Sequence, residues 1–286
     1  MGTGPDETGG GGNVMKDITQ KEFDLLRDFA KKQFGISLGD EKKSLVYSRL
    51  RTTLIEKGFD DFTQYYEYLV RDKTDGAVVR FIDKVTTNHT FFMREMDHFE
   101  YFRDTVLPFI EEKWAAQRDL RVWCAGCSSG EESNTIQMLI HDHFKNKPNK
   151  WDTQLLATDI STQALDKATQ SVYTSDSVAT VPERWRKEYF VKIDDAHYAV
   201  ADVIKKQIIY RRFNFMNERY PFKKQFQVIF CRNVMIYFDS KTRDSVVQKF
   251  YDVTEPGGYL FIGHSESLNH TGTKYKYIMP AIYRKV

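Results

Sequence analysis

The 286-residue chain carries 42 Lys and Arg against 40 Asp and Glu, a net charge of +2, and is 41% hydrophobic, 29% charged and 14% aromatic. That length suits one large core or two modest domains, and the balanced charge gives no global reason to expect nucleic acid or another polyanion as partner. Only Cys124, Cys127 and Cys231 are present, too few and odd in number for a disulfide scaffold, which points to a reducing, cytoplasmic setting. No apolar run approaches the roughly 20 residues of a membrane span, and the N-terminus lacks the apolar core of a signal peptide.

Residues 1–14, with Gly9 to Gly12 in a row, show no apolar periodicity and read as a disordered tail or an expression remnant. Thr19 precedes Glu22 at capping-box spacing, and Phe23, Leu26, Phe29 and Ala30 follow at helical intervals. Asp40-Glu41 opens a second helix with Leu45, Val46, Leu50 and Leu54, decorated by Lys42, Lys43, Arg49, Arg51 and Lys57 and ended by Gly58. Phe62 to Val70 predicts a third helix, and Val78 to Lys84 and Phe99 to Trp114 predict further ones. These give an all-α domain over 15–85, followed by a loop and connecting helix over 86–118.

The pattern changes at Arg121. Arg121 to Ala125 is a short apolar run entering a Gly-Cys-Ser-Ser-Gly turn and then a helix from Glu131 to Phe144. Strands are predicted at Gln154 to Thr158, Gln207 to Phe213, Phe226 to Cys231 and Tyr259 to Gly263, with helices at Gln163 to Gln170 and Asp239 to Val253. Pro256-Gly257-Gly258 reads as a turn, and Tyr275 to Arg284 as an antiparallel pair split near Pro280. Strand-like pieces at Tyr189 to Ile193 and Tyr198 to Val203 make a small β-subdomain inserted at about 171–206. The βαβα order over 119–286 predicts an α/β fold with a mainly parallel, doubly wound sheet.

In such a sheet ligands bind beyond the carboxyl ends of the strands, which gathers Gly126 to Glu132, Asp159, Asn214 and Arg232-Asn233 at one crevice. Gly126 lets a cofactor approach the backbone, and Asp159, at the end of the next strand, suits a pair of ribose hydroxyls. The turn lacks the third glycine of a dinucleotide fingerprint, and Glu131 and Glu132 would repel a pyrophosphate. A cofactor with a ribose and a positive centre but no phosphate fits better, and S-adenosylmethionine is such a molecule. The two glutamates could also simply complement a helix dipole.

Thr86-Thr87-Asn88-His89-Thr90-Phe91-Phe92-Met93-Arg94-Glu95 resembles the T-x-N-x-T-x-F-F-R-[ED] signature of chemotaxis receptor methyltransferases, the CheR family. Trp123 to Glu132, Ala157 to Ile160, Cys231 to Asp239 and Gly263 to Leu268 agree with the same family in the same order. The resemblance covers nearly everything after the tail. It implies a Rossmann-like class I methyltransferase domain behind a small all-α domain. It also implies transfer of a methyl group from S-adenosylmethionine to glutamate carboxylates of chemoreceptors, leaving S-adenosylhomocysteine and a methyl ester. Carried over residue by residue, it implies cofactor contacts from Asn88, Thr90, Arg94, Glu131, Asp159, Asn214, Phe215, Arg232 and Asn233, with Tyr237 near the transferred methyl. Arg94 is expected to orient a carboxylate, because a guanidinium binds one bidentately. Phe91, Phe92 and Met93 are expected in the core, and His264 as a hydrogen-bonding loop residue.

Two departures stand out. Ser133-Asn134-Thr135 replaces the family's Pro-Tyr-Ser or Pro-Tyr-Thr, which bears on the helix start and on cofactor affinity. Val191 to Tyr198 lacks the glycine that resembling, pentapeptide-docking members carry in the inserted subdomain, so docking independent of a receptor pentapeptide is expected. The basic helix Asp40 to Lys57 resembles the receptor-facing element, though a solvated charged face would look the same. Competing readings are a cofactor-binding sensor, a methyltransferase of another protein, or a thiol redox protein using the Trp-Cys-x-x-Cys run at Cys124 and Cys127. No metal site is expected, because that cysteine pair lacks two further ligands at zinc spacing. The chain is expected to be a monomer without membrane insertion.

Overall fold

The computed structural model describes residues 16–72, 74, 76–86, 90–269 and 272–286. The expected tail therefore lies outside the described residues. The chain divides into two units, one holding the described residues up to Phe29 with Leu38–Val85, the other Ala30–Ser37 with Thr86–Val286.

In the first unit α1 (Gln20–Phe34) begins; its last turn belongs to the second. The capping box forms, with the Thr19 amide donating to Glu22 Oε2 at 2.8 Å and the Glu22 amide to Thr19 Oγ1 at 3.3 Å. A short 3-10 turn, Asp40–Lys42, leads into α2 (Lys43–Lys57), which buries Val46, Leu50 and Leu54 and stops at Gly58. Next come α3 (Phe62–Arg71) and α4 (Gly76–Val85). The Phe62 amide donates to Glu22 Oε1 at 2.9 Å, so one buried carboxylate secures the first turns of α1 and α3 together.

The second unit continues with α5 (Met96–Tyr101), a π-helical turn Phe102–Val106 and α6 (Leu107–Lys113). Then follow β1 (Val122–Ala125), α7 (Glu131–Phe144), β2 (Leu155–Asp159), α8 (Thr162–Gln170), β3 (Val172–Thr174), α9 (Ser175–Ala179), α10 (Glu183–Tyr189), β4 (Phe190–Lys192), β5 (His197–Val200) and α11 (Asp202–Lys205). The chain closes with β6 (Ile208–Arg212), β7 (Phe226–Cys231), α12 (Ser240–Asp252), β8 (Thr254–Ile262), β9 (Lys276–Met279) and β10 (Ile282–Arg284).

The main sheet runs β6-β2-β1-β7-β8-β10-β9. Its first five strands are mutually parallel, and β10 pairs antiparallel with both neighbours. The inserted region forms a separate antiparallel sheet, β3-β5-β4. The order reverses beside β1, whose neighbours are β2 and β7, and that is where an α/β sheet opens a crevice. The doubly wound α/β fold is thus as the βαβα pattern predicts. Boundaries differ in the insertion, where Asp202 and Val203, expected as strand, open α11, and at Pro256-Gly257-Gly258, which lies inside β8, where a register shift opposite Phe226 and Val228 takes the irregular residues through the strand as a bulge. The short elements β3, α9 and α10 carry too little periodicity to be read from sequence.

Burial on both faces explains the continuous apolar strands. Val122 and Cys124 of β1 join one core layer with Val228, Phe230 and Phe261, while Trp123 and Ala125 join the opposite layer with Ile229, Leu260 and Phe250. Trp123 is fully buried among Phe213, Phe222, Phe226 and Phe250, and its indole N–H donates to Thr158 Oγ1 at 2.9 Å. Among the described residues no helix is long and apolar enough to cross a membrane. Trp123→Ala should lower unfolding free energy by about 3–5 kcal/mol in urea titrations, through loss of the indole and the cavity left behind.

Candidate active site

The turn after β1 is tied to β2 by the amides of Gly126 and Cys127, both donating to the Thr158 carbonyl, at 2.8 and 2.9 Å. Gly126 sits at φ 90°, and a Cβ there would lie 2.4 Å from Val234 Cγ2, so only glycine lets this turn meet the loop after β7. Asp159 ends β2 as expected. Its carboxylate accepts the amides of Ser128 at 2.8 Å and Ser161 at 2.9 Å, which aims it across the strand ends. Glu131 is buried and accepts from Ser129 Oγ at 2.7 Å; burial pushes its carboxyl above the usual range.

Arg232 is the hub of the site. Its side chain is 0% exposed: Nη1 donates to Glu132 Oε2 at 2.9 Å and Nη2 to Glu95 Oε2 at 3.0 Å and to the Arg94 carbonyl, while the guanidinium lies over Phe99. Arg94 itself is partly exposed, with its guanidinium 5.8 Å above the Phe91 ring and its Nε 3.9 Å from Glu95 Oε1. Asn233 stands in the left-handed region at φ 58°, a conformation Asn tolerates better than most residues. Its amide donates to Glu266 Oε2 at 2.9 Å and its side chain to Glu95 Oε1 at 3.3 Å. A Cβ at Gly263 would fall 2.4 Å from Asn233 Nδ2.

Tyr237 ends a 3-10 turn, Met235–Tyr237, and its carbonyl accepts the Ser37 amide at 2.7 Å. Asn214 donates from Nδ2 to the Gln33 carbonyl at 2.9 Å and accepts the Met216 amide at 2.9 Å, while Phe215 packs on Trp123 and Phe250. Thr90 is half-buried, and Asn88 lies outside the described residues. The structure thus joins Gly126, Glu131, Asp159, Arg94, Arg232 and Asn233 to loops that touch or share hydrogen-bond partners. Asn214 and Tyr237 are instead both held by the segment Ala30–Ser37.

Several site residues escaped the sequence reading. Glu95 and Glu266 have no role assigned by their motifs, yet Glu266 accepts the amides of Gly263 at 2.6 Å, Asn233 at 2.9 Å and Ile236 at 3.1 Å. An acid beside tight turns was the available signal. The segment Ala30–Ser37 carried none, because its contacts are mainly through the backbone. Phe91 is a correction: expected in the core, it is 39% exposed, because it lies at the open edge of the signature loop under Arg94, whereas Phe92 and Met93 are buried.

The thiol reading fails on electrostatics. Burial, then the neighbouring acids Glu132 for Cys124 and Asp159 for Cys127, push both thiols well above their ordinary range, opposite to a reactive cysteine. Among the described residues Glu95, His98 and His264 bring potential metal-ligating atoms within 4.8 Å of one another. The Arg232 guanidinium already bonds that carboxylate, so the local positive charge comes from the protein. Helix α7 starts at Glu131 despite the Ser133-Asn134-Thr135 departure; Ser133 and Asn134 side chains bond back to the Gly130 carbonyl at 3.0 and 2.9 Å.

Acids line the first βα turn, and the one buried guanidinium near it is matched by two carboxylates, a donor set that suits a ribose and a cationic centre and opposes a phosphate. The sequence agrees with known proteins on this point. Residues 88–283 match the CheR methyltransferase SAM binding domain, and residues 21–86 match the CheR methyltransferase all-alpha domain. The chemotaxis protein methyltransferase of Borreliella burgdorferi is 39% identical over 276 residues, 96% of this chain and 97% of that one. This chain belongs to the CheR methyltransferase family. The Escherichia coli chemotaxis protein methyltransferase is 32% identical to this CheR chain, covering 88% of it and 86% of the relative. The solved N-methyltransferase NodS of Bradyrhizobium japonicum, at 14% identity and TM-score 0.31 over 50% of this chain and 51% of that one, overlaps too little to bear on the fold. As a CheR protein, the chain is an S-adenosylmethionine-dependent methyltransferase.

His98 supplies a pH test of the site. It is fully buried, its Nδ1 lies 3.5 Å from Glu95 Oε2, and burial, then the Arg232 charge, lower its pKa from 6.5 to about 4. Between those values the unfolded chain takes up a proton that the folded chain refuses, so stability present above pH 6.5 is lost as pH falls towards about 4. A difference of that size corresponds to about 3 kcal/mol. The wild-type urea midpoint should fall more steeply on acidification than that of His98→Phe; parallel curves would mean His98 titrates normally.

Proposed function

We propose that this methyltransferase esterifies glutamate side chains on the cytoplasmic helices of chemoreceptors, and so tunes chemotactic adaptation. The names of its relatives support the chemotaxis role. The observation that carries the carboxylate reading is the contrast between two arginines. Arg232 is sealed inside by Glu95 and Glu132, whereas the Arg94 side chain is 29% exposed at the same strand ends, with its backbone held by Arg232.

When bound, S-adenosylmethionine supplies a methyl group on a sulfonium, already activated for displacement. The residues proposed to hold it are Asn88, Thr90, Arg94, Gly126, Glu131, Asp159, Asn214, Phe215, Arg232 and Asn233. Asp159, with both oxygens oriented by backbone amides, would take the ribose hydroxyls. A glutamate has a reference pKa near 4.3, so the nucleophile is ionised at neutral pH and the protein needs no general base. Its task is alignment, worth on the order of 7–11 kcal/mol, against roughly 10²–10⁴-fold from acid-base help. Arg94 would hold the incoming carboxylate by two hydrogen bonds, and Tyr237 would wall the methyl position. With radiolabelled S-adenosylmethionine and receptor-rich membranes, the label should come off as volatile methanol on base treatment. Arg94→Ala should abolish transfer while circular dichroism stays unchanged. Label that is base-stable, or that appears on other proteins, would favour another substrate; full activity of the variant would remove Arg94 from the role.

Docking is proposed to be independent of a receptor-tail pentapeptide. In the inserted sheet the turn between β4 and β5 is closed by Asp194, which accepts the Ala196 amide at 2.8 Å, and by the Ile193 amide donating to the His197 carbonyl at 3.0 Å; it contains no glycine. The basic α2 would instead meet the acidic methylation helices. A receptor-tail pentapeptide should show no micromolar binding by calorimetry, and reversing the charges of Arg49 and Arg51 should raise the KM for receptor. Tail binding, or an unchanged KM, would contradict the respective half of this reading.

A further inference from the structure

Glu95 occupies a position that capping does not explain. It precedes α5 as its N-cap residue, yet its side chain makes no cap hydrogen bond. Its backbone is left-handed, at φ 56° and ψ 65°, a conformation a residue with a Cβ adopts only when its surroundings enforce it. Met93, two residues earlier, Ser128 after β1 and Asn233 after β7 are likewise left-handed.

The carboxylate turns away from the helix and into the site. Oε2 accepts from Arg232 Nη2 at 3.0 Å and from the His264 amide at 3.2 Å, and Oε1 accepts from Asn233 Nδ2 at 3.3 Å. One side chain therefore joins the signature loop, the loop after β7 and the loop after β8. Burial alone would push its carboxyl up, but the charge and hydrogen bond of Arg232 outweigh that and hold it below the usual range, so it is ionised at neutral pH.

We propose that Glu95 is a positioning residue for methyl transfer, which fixes Arg94 through Arg232 and fixes Asn233 directly, without itself touching cofactor or substrate. This rests on the reading that the crevice holds S-adenosylmethionine with Arg94 and Asn233 around it. It adds that the geometry of those two residues is set by a third.

The test compares Glu95→Asp and Glu95→Gln with the wild type in three measurements: thermal midpoint, S-adenosylhomocysteine affinity by calorimetry, and kcat with KM on receptor membranes. Asp keeps the charge opposite Arg232 but is too short to reach Arg232, Asn233 and His264 together. Glu95→Asp should therefore keep a near wild-type midpoint while kcat falls about 100-fold, the scale of a misplaced reactive geometry. Its affinity for S-adenosylhomocysteine should weaken about tenfold, as for one lost hydrogen bond. Glu95→Gln, which keeps the length but not the charge, should lose midpoint and kcat together. Adding Glu95→Asp to Arg94→Ala should weaken S-adenosylhomocysteine binding little beyond Arg94→Ala alone, because residues acting as a unit are not additive. Wild-type kcat and affinity in Glu95→Asp, activity lost only in proportion to unfolded protein, or multiplicative losses with Arg94→Ala would each overturn the proposal. A wild type that binds S-adenosylhomocysteine but does not label receptors would sink the receptor reading alone; the affinity comparison would still decide the role of Glu95.

Discussion

A single buried guanidinium organises the strand ends. Arg232 directly follows β7 and turns inward, where Glu132 from α7 and Glu95 from the signature loop neutralise it from two sides. Removing one partner of such a buried set typically costs about 3–5 kcal/mol, because the remaining charge is left without compensation. The same side chain holds the Arg94 carbonyl. Consequently the turn after β1, the loop before α5 and the loop after β7 cannot relax independently. The electrostatic solution is local: Glu95 and Glu132 take up the Arg232 charge, and the carboxylate of Asp159 at the neighbouring strand end remains to meet a ribose.

Backbone strain follows the same map. Four residues with side chains, Met93, Glu95, Ser128 and Asn233, take left-handed conformations on these loops, each at a cost of about 1–3 kcal/mol that the surrounding bonds must offset. Glu266 meets part of that requirement by accepting three backbone amides from two loops. Hydrogen bonds of this kind favour a preorganised site, which is what a reaction that depends on alignment requires.

Much of this was legible in the sequence, for identifiable reasons. Apolar runs ending in Gly126, Asp159 and Arg232 gave the parallel strands and the crevice, because strands buried on both faces cannot hide their composition. The acidic start of α7 argued against a pyrophosphate. What sequence could not give was direction. Nothing in its motif says that the Arg232 side chain turns inward onto Glu95 and Glu132; Phe91 reads as core and lies exposed beneath Arg94. The contacts of Ala30–Ser37 with Asn214 and Tyr237 run mainly through carbonyls and amides, which leave no trace in residue type. Within the insertion β4 and β5 were legible, whereas β3, α9 and α10 are too short to show a periodicity.

The departure at Ser133-Asn134-Thr135 acquires a different meaning once its partners are known. Ser133 Oγ lies 3.1 Å from the Tyr210 hydroxyl on β6, and Asn134 Nδ2 donates at 2.9 Å to the Tyr173 hydroxyl on β3 of the inserted sheet. Tyr173 in turn donates to the Ser129 carbonyl at 2.9 Å. A proline at 133 would strip the first of these bonds, and a tyrosine at 134 would need the volume that Tyr173 now fills. The helix start, the insertion and the edge strand therefore form one coupled set. A change at Ser133 or Asn134 removes a hydrogen-bond partner from β6 or from the inserted sheet as well as from the helix start.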